Sequence, residues 1–158
     1  MMDEVVDALF KIPPGTVVGR LALACALGAV IGVEREIQQK AAGLRTNMLT
    51  ALAAAAFALL SLHAVDTVDA ASGLSDALRI DPLRVFEAIS GAAAVLAAGT
   101  VIASRGQVSG LTTGVTLWLT AAIGAGVGLG FYGLSILATL FAVATLALLA
   151  QVERRREE

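Results

Sequence analysis

The chain has 158 residues, 58% hydrophobic and 15% charged, with a formal net charge of −2 and a mean hydropathy of +0.84. Soluble domains carry about 45–50% apolar and about 25% charged residues, so this composition excludes an ordinary water-soluble fold and points to lipid as the solvent of most side chains. The one basic run, Arg154 to Arg156, is offset by Glu153, Glu157 and Glu158, which leaves no electrostatic footprint for nucleic acid.

The first residues, MMDEVVDALFKIPPG, are acidic where a signal peptide is basic and lack its long apolar stretch, so the chain is expected to keep them. Val5, Val6, Leu9, Phe10 and Ile12 share one side of a helix that Pro13-Pro14 would stop. That pattern fits a short interfacial helix over 2–12, with a disordered tail as the competing reading. Five apolar runs follow, at about 17–33, 47–65, 83–103, 110–127 and 131–151. Each approaches the roughly 20 residues that span a hydrocarbon layer about 30 Å thick. The runs are unbroken, whereas barrel strands would alternate apolar and polar over about ten residues. The expected fold is therefore an all-α integral membrane protein, a bundle of about five transmembrane helices in a single domain over 1–158. Cys25 lies in the first run with no second thiol to pair with.

Gly28 and Gly32, four apart in the first run, would let a neighbouring helix approach closely, within the chain or between two chains. After them come Glu34-Arg35-Glu36, Lys40 and Gly43-Leu44-Arg45-Thr46-Asn47. Glu34 to Gln39 can extend the first helix out of the membrane, Gly43 can break it, and Thr46 or Asn47 can cap the next. Arg45, set against the second apolar run, suggests a charge network with Glu34 that closes this turn. The third run holds Ala88, Ser90, Gly91, Ala92, Ala93, Ala94, Ala97, Ala98 and Gly99, and this density of small residues predicts a central position for it. The fourth and fifth runs are separated only by a glycine-rich corner, marked by Gly124, Gly126, Gly128, Gly130 and Gly133, which predicts a tight antiparallel hairpin.

With the N-terminus outside, seven of the eleven basic residues fall on the cytoplasmic side: Arg35, Lys40, Arg45, Arg105 and Arg154 to Arg156. Lys11, Arg20, Arg79 and Arg84 remain outside. The positive-inside rule then implies an N-out, C-in topology.

Ionisable groups in membrane spans are functional candidates because lipid cannot solvate them. Arg20 and Glu87 qualify. Arg84 lies one turn before Glu87, and Asp81, Arg84 and Glu87 would form a second charge network on the outer side. Snorkelling accounts equally well for the two arginines, and structural pairing and a pathway role both stand open for Glu87. Thr112, Thr116 and Thr120 recur every fourth residue. They are expected to bond the carbonyl one turn earlier, with a polar conduit as the minority reading. His63 stands alone near an outer helix end, no Ser/His pair or carboxylate dyad occupies the spans, and no phosphate-binding Gly-x-x-x-x-Gly-Lys-Ser/Thr loop is present, so an enzyme is not expected.

The blocks Gly28 to Gly32, Glu34-Arg35 and Ala42-Gly43-Leu44-Arg45-Thr46-Asn47 resemble the N-terminal membrane region of the MgtC/SapB family. So do Asp81-Pro82, Arg84, Ser90-Gly91, Gly99, Gly110-Leu111-Thr112-Thr113, Thr116-Leu117-Trp118, Ala121 to Gly124 and Gly128. The resemblance runs through nearly the whole chain in the same order. It implies a bacterial inner-membrane protein linked to Mg2+ homeostasis, stress and virulence through survival inside host cells, and not itself a transport ATPase. It further implies regulation of other membrane proteins, with the F-type ATP synthase as one partner, or else Mg2+ transport. The family's Gly-Ile-Gly-Phe-Leu-Gly-Ala-Gly run is replaced here by Gly91 to Gly99, rich in alanine. No soluble C-terminal domain is expected after the fifth run, since the sequence stops at Glu158, so activities of such a domain are not carried over. Membrane lipid and a further copy of the chain are the other partners anticipated; no cofactor is expected, with Mg2+ as the one ion of interest. Two readings remain: a regulatory protein that binds others through its helices, favoured because Glu87 is the sole carboxylate well inside a run and Mg2+ requires several oxygen ligands; and an ion transporter or channel lined by Glu87 and the threonines, fed by the acidic outer loop from Asp66 to Asp81.

Overall fold

A computed structural model describes residues 12–71, 82–104 and 107–157. Five helices and one hairpin follow in order: α1 (Pro14–Ile37), α2 (Leu44–Ala71), α3 (Pro82–Ala98), β1 (Ile102–Ser104), β2 (Gln107–Ser109), α4 (Leu111–Leu129) and α5 (Tyr132–Glu157). Four segments are long and apolar enough to cross a membrane, by length and composition: Pro14–Ile37, Leu44–Ala64, Leu111–Leu129 and Tyr132–Gln151. The 17 residues of α3 give about 26 Å of helix at ~1.5 Å per residue, the lower end of what a span needs. The expected interfacial helix falls outside the described residues except for Ile12, and Asp81 and Arg105 fall outside them as well.

The helix ends follow from local chemistry. Pro13 precedes α1 and Pro14 opens it, where a missing N–H is harmless. Charged residues do not stop α1 at the end of its apolar run: it continues past the expected 33 to Ile37, so Glu34, Arg35 and Glu36 occupy its last turns. The turn into α2 is closed differently from expectation. Leu44 already opens the helix, which puts Thr46 and Asn47 inside it, and the Glu36 carboxylate caps it by accepting the Leu44 N–H at 2.9 Å. The third apolar run ends its helix at Ala98, not near 103. Val101 and Ile102 are β-branched, and the chain instead turns through Gly99 and Thr100 into an antiparallel hairpin that pairs Ile102 with Ser109 and Ser104 with Gln107. Gly130, at φ 92°, ends α4 in the left-handed conformation, and the Phe131 N–H returns to the Gly126 carbonyl at 2.8 Å. This is the tight corner anticipated from the glycines, and α5 runs back antiparallel along α4.

At the centre of the bundle lies α4, not α3. It packs against each of the four other described helices and buries Thr113, Gly114, Thr116, Leu117, Thr120, Ala121, Ile123, Gly124, Ala125, Val127 and Gly128. Glycine explains the difference. A Cβ on Gly128 would lie 2.6 Å from the Ala55 carbonyl oxygen, and one on Gly124 would run into the Ala51 backbone, so α4 and α2 touch main chain to main chain. Gly28 and Gly32 do the same for α1 against α2: their Cβ atoms would lie 2.7 Å from the Asn47 carbonyl oxygen and the Leu44 Cα. The Gly28/Gly32 pair therefore serves a contact within the chain. On α3 the small residues Ala88, Gly91, Ala92, Ala94 and Ala98 are exposed, and only Ala93 is buried.

Candidate functional site

Successive residues on a helix point about 100° apart, and the Glu34-Arg35-Glu36 run uses this to send three charges in three directions. Glu36 turns outward to cap α2. Arg35 turns into the bundle, only 3% exposed, and its Nη2 donates to Thr113 Oγ1 at 3.0 Å. Half-buried Glu34 places its Oε2 where no hydrogen-bond donor meets it among the described residues. This end holds a recess of about 310 Å³ lined by Glu34, Arg35, Gln38, Lys40, Thr112 and Thr113, with Val108 of the hairpin and Leu146, Leu149 and Ala150 of α5 as its walls.

Asn47 lies one level deeper, fully buried. Its Nδ2 donates to the carbonyls of Ala42 (3.0 Å) and Gly43 (2.9 Å), and its Oδ1 accepts from Thr120 Oγ1 at 2.9 Å. Only this amide orientation works, because the opposite one would set Oδ1 against two carbonyl oxygens. The Thr120 hydroxyl has a single proton and shares it between Asn47 Oδ1 and the Thr116 carbonyl at 2.8 Å. Asn47 thus ties the α1–α2 turn, the start of α2 and the middle of α4 into one unit.

Toward the other end, buried Ser135 donates to the Ile123 carbonyl at 3.1 Å, and buried Thr139 to the Ser135 carbonyl at 2.8 Å. Arg20 finishes the series. Its Nη1 donates to the Gly128 carbonyl at 2.7 Å and its Nε to Tyr132 Oη at 2.9 Å, with the guanidinium 5.8 Å from the Tyr132 ring centre. A cation on the last carbonyls of α4 is well placed against the negative end of the helix dipole. Four polar levels therefore run through the bundle, and each joins at least two elements or two turns of one.

The sequence candidates distribute unevenly over this frame. Glu34 and Arg35 line the recess; Arg45 is exposed, and among the described residues no ion pair links it to Glu34. The turn is closed by Glu36 and Asn47 instead. Arg84 and Glu87 are exposed on α3, Arg20 bonds Gly128 and Tyr132 instead, and Asp81 lies outside the described residues. The hydroxyl stripe is shifted by one. Thr116 and Thr120 are buried and bond carbonyls one turn back, but Thr112 is exposed and Thr113 takes the interior place. A step of i+4 taken twice drifts about 80° round a helix, whereas i, i+3, i+7 drifts only about 20°, so Thr113, Thr116 and Thr120 make the straight line. Ser135 and Thr139 were not singled out from the sequence, Asn47 was read only as a candidate helix cap, and Thr113 stood only within a block of the family resemblance. The 3-then-4 spacing could have found Thr113; nothing local distinguishes Asn47 from an ordinary cap.

Comparison with known proteins agrees in scope with this picture. Residues 21–155 match the sequence model of the MgtC family. The chain is 39% identical over 129 residues to the protein MgtC of Brucella abortus, covering 82% of this chain and 49% of that protein. It is 34% identical over 144 residues to SrpB of Synechococcus elongatus, covering 85% and 75%. It is 33% identical over 137 residues to YhiD of Escherichia coli K12, whose name describes it as a candidate magnesium transporter, covering 86% and 61%. The matches thus span from about half to about three quarters of these curated relatives. No solved structure matches.

Proposed function

The chain belongs to the MgtC family, and from that premise we propose that it is a membrane protein of Mg2+-linked and stress-linked physiology that works by binding and regulating other membrane proteins, not by conducting the ion. In this reading α3 is a fifth span, the N-terminus is outside, the C-terminus is cytoplasmic, and the membrane is the bacterial inner membrane. The partner is an integral membrane complex of the kind the family resemblance suggests, the F-type ATP synthase among them.

One observation carries the reading: in the middle of the bundle, from Asn47 to Thr139, the buried polar side chains bond one another or main-chain carbonyls. Thr116 bonds the Thr112 carbonyl at 2.7 Å, Thr120 and Asn47 bond each other, and Thr139 and Ser135 bond α5 and α4 carbonyls. Between these levels the glycine and alanine contacts of α1, α2 and α4 bring backbones together with no space for a hydrated ion. Magnesium requires near-octahedral oxygen coordination and dehydrates reluctantly. Among the described residues no three His, Cys, Asp or Glu side chains gather, and Glu87 is on an outer face of α3.

The transporter reading keeps one support, the name carried by YhiD. Proteoliposomes decide between the two. Purified protein, with no partner added, is expected to give Mg2+ uptake no faster than empty vesicles. Robust uptake that is lost on Thr116→Val or Glu87→Gln would establish conduction and reject the regulatory reading.

A further inference from the structure

The exposed face of α3 carries a combination of residues that lipid cannot solvate. Trp118 Nε1 donates to Ser90 Oγ at 3.2 Å, and a Cβ on Gly114 would lie 2.8 Å from the Ala97 carbonyl oxygen, so α3 and α4 run antiparallel. Glu87 stands three residues from Ser90, while α4 continues eleven residues beyond Trp118 to Leu129. At ~1.5 Å per residue, Glu87 therefore lies about 12 Å below the end of α4. That end is where Arg20, Gly128 and Tyr132 form the outermost polar level. Glu87 is also five residues past the start of its own helix at Pro82, about 7.5 Å at ~1.5 Å per residue, which is more than a glutamate side chain spans.

Glu87 nevertheless points away from the bundle. Val85, Ile89, Ser90, Ala93 and Ala97 form the buried or partly buried side of α3, with Phe86 exposed at its margin, whereas Arg84, Glu87, Ala88, Gly91, Ala92, Ala94, Val95, Leu96 and Ala98 are exposed. The exposed positions recur at helical spacing and so form one face, on which a Cβ at Gly91 would meet nothing within 4 Å. Among the described residues no ion pair joins Arg84 to Glu87.

We propose that this face is a homodimer interface, in which a second copy of the chain, related by a two-fold axis along the membrane normal, sets Glu87 of each copy against Arg84 of the other. The occupant follows from charge. A face that carries one cation and one anion within a single turn is its own complement under a two-fold rotation, and an isologous contact neutralises both charges at once. A partner of any other kind would have to bring the inverted pair. The small residues below supply the approach: Ala88, Gly91 and Ala98 let two backbones close up, which shields the paired charges from hydrocarbon. The proposal rests on the placement of α3 as a span and is independent of whether the protein regulates or conducts.

Cross-linking in lipid vesicles tests it. In a Cys25→Ser chain, Gly91→Cys and, separately, Ala98→Cys are expected to form disulfide dimers on mild oxidation, while Phe141→Cys on the exposed side of α5 is not. Adding Glu87→Arg to the Gly91→Cys chain places like charges across the contact and is expected to lower the cross-linked fraction at least ~10-fold; adding Arg84→Glu as well is expected to restore it. Cross-linking at Gly91 and Ala98 no faster than at Phe141, or a double charge swap that fails to restore it, would overturn the proposal. So would a cross-linked product whose mass is that of this chain joined to a different protein. A membrane-impermeant maleimide that labels Ala94→Cys would instead overturn the placement of α3, which separates that failure from the failure of the dimer.

Discussion

Replacing Gly124 with leucine is expected to prevent the bundle from forming, the largest effect of any single change considered. The Cβ alone would run into the backbone of Ala51, and main chain, unlike the end of a flexible side chain, cannot rotate away. Relief requires α2 and α4 to separate along their whole contact, which includes the second close point at Gly128 over Ala55 and Ala58. Overpacking typically destabilises by ~1–3 kcal/mol where side chains can adjust, and here the loss should exceed that range. Gly19→Leu and Gly133→Leu are matched controls, since a Cβ at either position meets nothing within 4 Å. Detergent-denaturation curves of the purified variants check the result: Gly124→Leu should yield no folded protein, and both controls should unfold within about 0.5 kcal/mol of the parent.

The second large effect is expected at Asn47. Asn47→Ala removes both donors from the Ala42 and Gly43 carbonyls and the acceptor from Thr120, all at a site closed to solvent. Leaving buried polar groups unmatched costs about 1–3 kcal/mol, and the loss should fall in the upper half of that range. Asn47→Asp should be worse despite its near-identical shape, because an oxygen would then face two carbonyl oxygens and a charge would be buried at a site closed to solvent. Thr120→Val keeps volume and removes one donor, which leaves Asn47 Oδ1 unmatched while both Asn47 donors keep their carbonyls, so ~1 kcal/mol is expected. A double-mutant cycle on Asn47→Ala and Thr120→Val should return a coupling of about 0.5–1 kcal/mol. Additive losses would mean that the two side chains do not act on each other.

The parts of this fold legible in the sequence are those set by one-dimensional signals. Unbroken apolar length placed the four long helices to within a few residues, and the glycines from Gly124 to Gly130 announced the corner before α5 because a left-handed residue was needed there. Gly28 and Gly32 marked a close contact, although its partner, α2, could be named only from the structure. What stayed hidden depends on partners distant in sequence. Small residues permit close packing without requiring it, so the alanines of α3 and the glycines of α4 look alike in sequence; only α4 meets backbone on the other side. Arg35 and Arg45 are equally charged and equally near the membrane edge, yet one points at Thr113 and the other outward. Asn47 resembles a helix cap, and it becomes a buried tie because Glu36, eight residues before Leu44, has already taken the capping position.

Polar groups that bond one another in the middle of the bundle leave no hydrated path between them, and water access to that middle tests this directly. In a Cys25→Ser chain held in lipid, cysteines at Thr116 and Thr120 should stay unreactive toward a small water-soluble methanethiosulfonate applied from either side, while a cysteine at exposed Arg45 reacts readily. Reaction at Thr116 and Thr120 from the aqueous phase, slowed by added Mg2+, would reveal a hydrated cation path through the bundle and contradict the central claim.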